Sequence, residues 1–266
     1  MGTGTDLHRP PLDAGRLRQR LIAPGGLWRD VRVVPETGST NADLLEAARS
    51  GAAEGLVLAA EAQTAGRGRL GRAWSAPARA GLVCSVLLRP AGVPSARRGW
   101  LPLLTGVAVA AAVRAQTAVP ACLKWPNDVL VGERKLAGIL AEAHGDAVVV
   151  GIGLNVTLRP AELPVRTATS LLIEDAAVPD RDALLVAILT ELAGRYQGWR
   201  ADPGATGLRR DYLRRSATVG RDVRVELPGG TLLTGTAEDV DDAGRLLVRG
   251  GGGLVPVAAG DVLHVR

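Results

Sequence analysis

The chain has 266 residues, of which 47% are hydrophobic, and a formal net charge of +5 at pH 7. This composition predicts a folded protein with one large core or a larger and a smaller domain, and it argues against a basic chain that coats nucleic acid. Two distant cysteines and three histidines argue against a zinc site. No apolar leader and no apolar run long enough for a bilayer occur, so we expect a cytoplasmic protein without membrane contact.

The N-terminal part of the chain predicts one short helix near LRQRLI. We treat residues 1–30 as an extension that is too short for a three-helix DNA-binding module. Residues 31–36 read as a strand, and Ser39 or Thr40 can cap the amphipathic helix ADLLEAARS that follows. Two more strands, GLVLAAE and LVCSVLL, flank a connection rich in glycine and arginine.

The middle of the chain alternates one helix with strands. A buried helix through WLPLLTGVAVAAAVRAQ precedes strands at ACLKW, KLAGILAEA and AVVVGIGLNV, and the last two are joined by a tight His-Gly-Asp turn. ALLVAILTELAGRYQGWR then shows the 3.6-residue period of a helix. This order predicts an α+β fold with an antiparallel or mixed sheet and helices packed on one face.

The C-terminal part predicts a small β-barrel of about 50 residues. After Arg215 the pattern changes to short strands separated by Gly-Gly and Asp-Asp-Ala-Gly turns, namely DVRVELP, TLLTGTAEDV, RLLVRG, GLVPVAA and VLHVR. We therefore divide the chain into the extension, a main domain at residues 31–216 and a barrel at residues 217–266.

The stretch GRGRLGRAW at residues 66–74 contains the spacing G-x-G-x-x-G. A dinucleotide site also needs a following helix and an acidic residue about 20 positions on, but Pro77 interrupts the helix and Leu88 and Arg89 stand at that distance. No G-K-[ST] follows for a P-loop, and an RNA-binding Arg-Gly tract would be longer and repetitive. The remaining interpretations are a loop that brings guanidinium and backbone N–H groups to an anion, or a solvated basic loop.

Only two of the 32 basic residues are lysines, and Lys124 and Lys135 fall in one short segment. A codon bias toward arginine explains the composition but not this clustering. The compact ammonium of lysine differs from a planar guanidinium, so both positions are candidates for function. Asn127 and Asp128 alone, after Pro126, predict a turn.

Six motifs occur in a characteristic order: ETGSTNADLL, QTAGRGRLGRAW, KWPNDVL, KLAGILAE, VGIGLNV and ATSL. Together they resemble the catalytic domain of biotin protein ligases, and the C-terminal strands resemble the SH3-like domain of that family. The resemblance covers roughly residues 31–266, and its form is similar to the short actinobacterial members, which lack the DNA-binding domain.

The resemblance implies a catalytic fold of the biotin and lipoate ligases, which is like that of class II aminoacyl-tRNA synthetases. It implies an ATP-dependent ligase that uses Mg²⁺, activates biotin as biotinyl-5′-AMP and transfers it to a lysine of the biotin carboxyl carrier domain of acyl-CoA or pyruvate carboxylases. We expect no DNA binding and no repressor function, and a monomer or weak homodimer.

The resemblance also assigns site residues. Lys135, Arg67 and Arg69 are the catalytic candidates. The expected biotin contacts are Ser39, Thr40, Asn41, Gln63, Arg67, Gly68, Arg69, Lys135, Gly138 and Gly153. The expected ATP contacts are Arg69, Arg72, Trp74, Lys124, Asn127, Asp128, Lys135 and Asn155, with Trp74 stacked on adenine and Asp128 either orienting a lysine or holding magnesium with the phosphates.

The chemistry explains why cations are needed. A carboxylate must approach a phosphate, and two unit charges 4 Å apart interact by ~4 kcal/mol at an effective dielectric of 20. The predicted lysines and arginines could offset this repulsion.

Two alternative functions stay open. Lipoate or octanoate ligases and transferases share the architecture, although the GRGR loop argues against them. A non-catalytic biotin- or RNA-binding module could use the same basic loop but would not need Lys135.

Overall fold

The computed structural model describes residues 9–177, 180–204 and 206–265. Within these residues a mixed sheet of seven strands has the order β1-β2-β3-β7-β6-β5-β4. Only β1 and β2 are parallel, and every other neighbouring pair is antiparallel. The strands are β1 (Asp30–Val34), β2 (Leu56–Ala60), β3 (Gly81–Leu88), β4 (Cys122–Lys124), β5 (Asp128–Val131), β6 (Arg134–His144) and β7 (Ala147–Asn155).

Helices cover both faces of this sheet. The helices are α1 (Ala14–Leu21), α2 (Thr40–Arg49), α3 (Trp100–Thr117), α4 (Arg181–Ala201) and α5 (Thr206–Leu213). The main core contains α3 and α4, whereas Leu44 and Ala48 of α2 pack in a separate cluster with Leu58, Leu87 and Val149. Because neighbouring residues of a strand point to opposite faces, α2 lies on the other side of the sheet from α3 and α4.

The predicted α+β class is confirmed, but the expectation that helices pack on one face is wrong. Strand β3 is buried along its whole length, as its continuous apolar sequence requires. A strand of that kind needs cover on both faces. The helices that begin near residues 14, 40, 100 and 181 are confirmed, while β5 and α5 were not predicted as separate elements.

The N-terminal segment packs into the main core. Leu17 and Leu21 of α1 are buried there, and the Trp28 Nε1 donates to the Leu189 carbonyl oxygen at 3.1 Å. The segment that we treat as an extension is therefore part of the same hydrophobic core from residue 12 onward. Residues 1–8 of it lie outside the described residues.

A second, antiparallel sheet follows α5, with the order β11-β10-β9-β8-β12. Its strands match the five predicted for the C-terminal barrel and are β8 (Asp222–Glu226), β9 (Leu232–Val240), β10 (Leu246–Gly250), β11 (Gly253–Val257) and β12 (Asp261–His264). Two buried tryptophans fasten it to the main sheet: Trp125 Nε1 donates to the Gly244 carbonyl oxygen at 3.0 Å, and Trp100 Nε1 to the Asp241 carbonyl oxygen at 3.1 Å. No described helix combines the length and apolar character needed to cross a membrane.

Candidate active site

A cavity of about 610 Å³ opens between the main sheet, the glycine- and arginine-rich loop and the C-terminal barrel. Every site residue predicted from the sequence lines it, although those residues are spread over more than a hundred positions. They are Ser39, Thr40, Asn41, Gln63, Arg67, Gly68, Arg69, Arg72, Trp74, Lys124, Asn127, Asp128, Lys135, Gly138, Gly153 and Asn155. The structure thus brings the predicted set together, while the role of each residue stays a prediction.

The first turn of α2 forms a polar wall of the cavity. Ser39 caps the helix, its side chain accepting from the Ala42 N–H at 3.4 Å, so Thr40 and Asn41 lie at the helix start and are nearly inaccessible to solvent. The Thr40 N–H donates to Gln63 Oε1 at 2.8 Å. This bond holds the amide of Gln63 beside the helix start, as the predicted polar site requires.

The glycine- and arginine-rich loop forms a narrow hairpin between β2 and β3. The Gly68 N–H donates to the Arg72 carbonyl oxygen at 2.7 Å, and the Trp74 N–H to the Gly66 carbonyl oxygen at 2.9 Å. Its tip has left-handed backbone at Leu70 (φ 56°) and Gly71 (φ 73°). No helix longer than one three-residue turn follows the glycines, which agrees with rejecting a dinucleotide site.

Gly66 is required by the packing of the loop on itself. A Cβ atom at this position would lie 2.4 Å from the Trp74 carbonyl oxygen and 2.6 Å from Gln63 Nε2. In the sequence, the glycines of this loop suggest a backbone that comes close to an anionic ligand. At Gly66 the close approach is instead within the chain, because the two sides of the hairpin meet there.

The loop is fastened to the C-terminal barrel by two arginines. Arg69 Nη1 donates to Asn127 Oδ1 at 3.2 Å and to the Gly260 carbonyl oxygen at 3.3 Å, and Arg72 forms an ion pair with Asp261. Burial lowers the pKa of the Arg69 guanidinium, an effect that the nearby Asp128 opposes. Sequence reasoning missed both Gly260 and Asp261, since nothing near residue 260 resembles a motif.

The indole of Trp74 lies in a depression formed by two paired glycines. Gly138 and Gly153 face each other across β6 and β7. A Cβ atom at Gly153 would lie 2.4 Å from Trp74 Cε2, and one at Gly138 would lie 3.2 Å from Trp74 Cζ3. The Trp74 Nε1 is buried without a hydrogen-bond partner among the described residues. A ligand that contacts Gly153 directly must therefore displace the indole, which the sequence analysis expected to stack on adenine.

The ammonium of Lys135, on β6, faces the carboxylate of Asp128 on the adjacent strand β5. Lys135 Nζ lies 2.6 Å from Asp128 Oδ1, which makes a close ion pair. The backbone of Lys135 is fixed by the segment around residue 168. Its N–H donates to the Thr167 carbonyl oxygen at 2.7 Å, and its carbonyl oxygen accepts from the Thr169 N–H at 2.8 Å. Of the two lysines that Asp128 could orient, it contacts Lys135.

Lys124 lies directly opposite Asp128 in the pairing of β4 with β5. Burial lowers the pKa of the Lys124 ammonium, and the field of Asp128 opposes that shift. Among the described lining residues the cations outnumber the carboxylates, which are Asp128, Glu133 and Asp261. The cavity is therefore suited to anionic ligands.

Two asparagines that line the cavity, Asn127 and Asn155, are fixed by hydrogen bonds to the backbone. Asn127 Nδ2 donates to the Ile139 carbonyl oxygen at 3.0 Å, and Asn155 Nδ2 donates to the Thr169 carbonyl oxygen at 2.8 Å. Asn155 is 3% exposed. Each bond uses one of the two amide hydrogens of its asparagine and fixes the orientation of the side chain.

Sequence reasoning also missed two polar residues behind the cavity, Ser85 and Glu142. Ser85 Oγ donates to Asn41 Oδ1 at 2.6 Å, and Asn41 Nδ2 donates to Glu142 Oε2 at 2.7 Å. A signal for Ser85 was present, because it is the only polar residue in the strand LVCSVLL. Within the described residues no group of three His, Cys, Asp or Glu side chains could hold a metal ion.

Comparison with known proteins identifies two family regions. Residues 33–157 match the biotin/lipoate A/B protein ligase family, and residues 218–265 match the biotin protein ligase C-terminal domain. A biotin–[acetyl-CoA-carboxylase] ligase of Mycobacterium tuberculosis is 52% identical over 99% of this chain and 100% of its own length. The bifunctional ligase/repressor BirA of Escherichia coli is 33% identical over 87% of this chain and 73% of its own length.

Solved structures show the same relationship. The structure of a biotin protein ligase from Aquifex aeolicus in complex with biotin and ATP has a TM-score of 0.76 and 29% identity, covering 90% of this chain and 100% of that chain. The two family regions correspond to the two sheets, and the cavity lies between them. The chain therefore belongs to the biotin protein ligase family.

Proposed function

We propose that the protein activates biotin with ATP and transfers it to a lysine of a carrier domain. The observation that carries this proposal is the convergence of Lys135, Lys124 and the loop arginines on one cavity lined by a polar wall. In the first step a biotin carboxylate oxygen attacks the α-phosphorus of ATP, and the bond to pyrophosphate breaks. In the second, the acceptor amine attacks the acyl carbon, AMP leaves and the amine loses a proton.

The cations of the cavity lower the repulsion between the two reacting anions. Lys135 supplies a point charge that can contact a carboxylate and a phosphate oxygen together. Arg67 and Arg69 contribute further charges from the glycine- and arginine-rich loop. The nucleotide side of the cavity in this proposal consists of Arg72, Lys124, Asn127 and Asn155. Fixed charges at a site that excludes water act more strongly than they would in solution.

The polar wall is assigned to the ureido ring of biotin. Ser39, Thr40 and Gln63 offer hydroxyl and amide groups, which match a ring with one carbonyl and two N–H groups, and Asn41 supports this wall through its bonds to Ser85 and Glu142. A lipoate or octanoate tail has no such groups and would leave the buried polar atoms unpaired. The wall therefore favours biotin over the substrates of the related lipoate enzymes.

Magnesium is assigned to Asp128 together with the phosphates of ATP. Mg²⁺ commonly binds one or two carboxylates and completes its shell with phosphate oxygens and water. Asp128 fits this pattern, because its carboxylate lines the cavity beside the cations that would hold the phosphates. When bound, the ion would neutralise charge on the phosphates.

Further expectations complete the proposal. The acceptor is the biotin carboxyl carrier domain of an acyl-CoA or pyruvate carboxylase, and the reaction takes place in the cytoplasm. We expect a monomer or weak homodimer and no binding to DNA. The one helix described before β1 is eight residues long and packs Leu17 and Leu21 into the core, which does not match a helix that reads DNA from the surface. We retain residues 31–216 and 217–266 as the proposed units, and the part of the extension from residue 12 to residue 30 packs into the core of the first.

Exchange of labelled pyrophosphate into ATP tests the activation step. We expect the purified full chain to catalyse exchange only when biotin and Mg²⁺ are both present. Added lipoate or octanoate in place of biotin serves as the control for the related enzymes. Exchange with octanoate but not biotin would favour the lipoate class, and biotin binding without exchange would favour a non-catalytic module.

The contacts of Arg69 with Gly260 and of Arg72 with Asp261, which we call the latch, lead to a second prediction. Ordering the loop over a mixed anhydride would shield it from water. We expect Arg69→Gly to retain adenylate formation but to release activated biotin faster, by about tenfold. Asp261→Asn, which removes the partner of Arg72, should act in the same direction with a smaller effect. The measurement is label transfer from preformed adenylate to free amines in a quench assay.

A matched control for the latch lies on the same barrel. Asp242 is 76% exposed in its side chain and pairs with Arg97 outside the cavity. Asp242→Asn should release adenylate at the parent rate. If Arg69→Gly held its intermediate as firmly as the parent, the shielding role of the loop would be wrong.

A further inference from the structure

A chain of hydrogen bonds connects the residues of the polar wall to buried residues of the sheet behind it. It contains Thr40, Ser85, Asn41 and Glu142, which we call the polar relay. Thr40 Oγ1 lies 2.7 Å from Ser85 Oγ, Ser85 Oγ lies 2.6 Å from Asn41 Oδ1, and Asn41 Nδ2 lies 2.7 Å from Glu142 Oε2. Ser85 is fully buried and does not line the cavity, so it can affect a ligand only through its neighbours.

The direction of the relay follows from counting hydrogens. Asn41 Nδ2 faces the Leu140 carbonyl oxygen at 3.2 Å and the Glu142 carboxylate at 2.7 Å. Neither a carbonyl nor a carboxylate oxygen can donate, so the amide nitrogen of Asn41 must be on this side. Its Oδ1 then faces Ser85 and can only accept. The single hydroxyl hydrogen of Ser85 is therefore directed to Asn41.

The same count of hydrogens decides the direction in which the hydroxyl group of Thr40 donates. With its own hydrogen committed, Ser85 Oγ must accept in the 2.7 Å contact, and Thr40 must donate. Gln63 Oε1 accepts from the Thr40 N–H at 2.8 Å and also lies 3.0 Å from Thr40 Oγ1, but the one hydroxyl hydrogen of Thr40 can serve only one contact, and the contact with Ser85 requires it. The hydrogen of Thr40 thus points away from the cavity, and its oxygen presents only acceptor lone pairs to a ligand.

We propose that Ser85 is a positioning residue that makes the polar wall specific for a ligand with an N–H donor, of the kind found in a cyclic urea. Through Thr40 it fixes an acceptor in place, while Gln63, whose Oε1 is occupied, has its amide hydrogens left to donate to the ligand carbonyl. This inference rests on the proposed function, since it names the hydrogen-bond pattern by which that site selects biotin. Ser85 lies one shell behind the ligand and touches none of the reacting atoms.

Removal of the Ser85 hydroxyl tests this role. Ser85→Ala frees the hydrogen of Thr40 to turn toward Gln63 or into the cavity, so the KM for biotin should rise by about 5- to 50-fold. The kcat at saturating biotin should stay within about twofold, because the cations around Lys135 are untouched. Ser85→Cys keeps a weak donor in nearly the same shape and should have an intermediate KM.

An analogue of biotin methylated on a ureido nitrogen separates positioning from general damage. The parent should prefer biotin over this analogue, and Ser85→Ala should reduce that preference by about tenfold. Thr105→Val is the control, because it also removes a fully buried hydroxyl, which donates to the Leu101 carbonyl oxygen within α3, on the other face of the sheet from α2. It should leave both the KM and the preference unchanged.

The outcomes are distinct from those for the proposed function. Absence of biotin-dependent exchange in the parent would refute the ligase activity, and calorimetric titration of the parent with the two ligands would still test their discrimination. An active Ser85→Ala variant with parent KM and parent preference would overturn the role of Ser85 alone. Should Ser85→Ala fail to fold, the same two measurements on Ser85→Cys decide, and parent values there would count against the inference.

Discussion

Replacing Lys135 by methionine is expected to lower the rate of biotinyl-adenylate formation by about 10²- to 10³-fold. Methionine keeps the length of the side chain but removes the ammonium that lies 2.6 Å from Asp128 Oδ1 and faces the cavity. The loss should appear mainly in kcat, because the charge matters most when carboxylate and phosphate approach each other. Pyrophosphate exchange measures the rate, and calorimetry should show biotin affinity changed much less.

Lys124→Met is the matched control for this experiment. It removes the only other lysine of the chain, which lines the same cavity from β4, on the other side of Asp128 from Lys135. Because Lys124 is assigned to the nucleotide, its loss should raise the KM for ATP more than it lowers kcat. Lys135→Arg keeps the charge but not the compact ammonium and should also be slower than the parent. A Lys135→Met variant within tenfold of the parent rate would refute the catalytic assignment.

Breaking the buried ion pair of Glu61 and Arg181 should lower the free energy of unfolding by about 3–5 kcal/mol. The two side chains are 7% and 6% exposed and lie 2.7 Å apart. Arg181 also donates to the carbonyl oxygens of Gly81 at 3.1 Å and Pro10 at 2.6 Å. Glu61→Ala would leave the guanidinium buried without its countercharge, and urea unfolding measures the effect.

Two comparisons identify the cause of that loss. Replacing Glu61 and Arg181 together by methionine removes both charges and should recover most of the stability, since paired removal leaves no buried charge. Glu46→Ala breaks a solvent-exposed pair with Arg49 and should cost less than about 1 kcal/mol. A single Glu61→Ala variant as stable as the Glu46→Ala variant would contradict the prediction.

Local pattern was sufficient for most of the elements and for most of the polar and charged residues that line the cavity. The 3.6-residue period identifies α4, the apolar runs identify β3 and β7, and the glycine-rich turns separate the five strands of the barrel. Motif order also identified a set of polar and charged residues that all line one cavity. These properties depend on residue types at short spacing, which a sequence displays directly.

Contacts between distant segments could be decided only by the tertiary structure. The latch joins Arg72 to Asp261, the polar relay joins Asn41 to Ser85 and Glu142, and the indole of Trp74 covers Gly153. Each contact depends on where a rigid sheet places side chains that are tens to almost two hundred positions apart. A sequence records which groups can donate, accept or carry charge, but packing chooses their partners, because only in the folded chain do the distances between those groups become short.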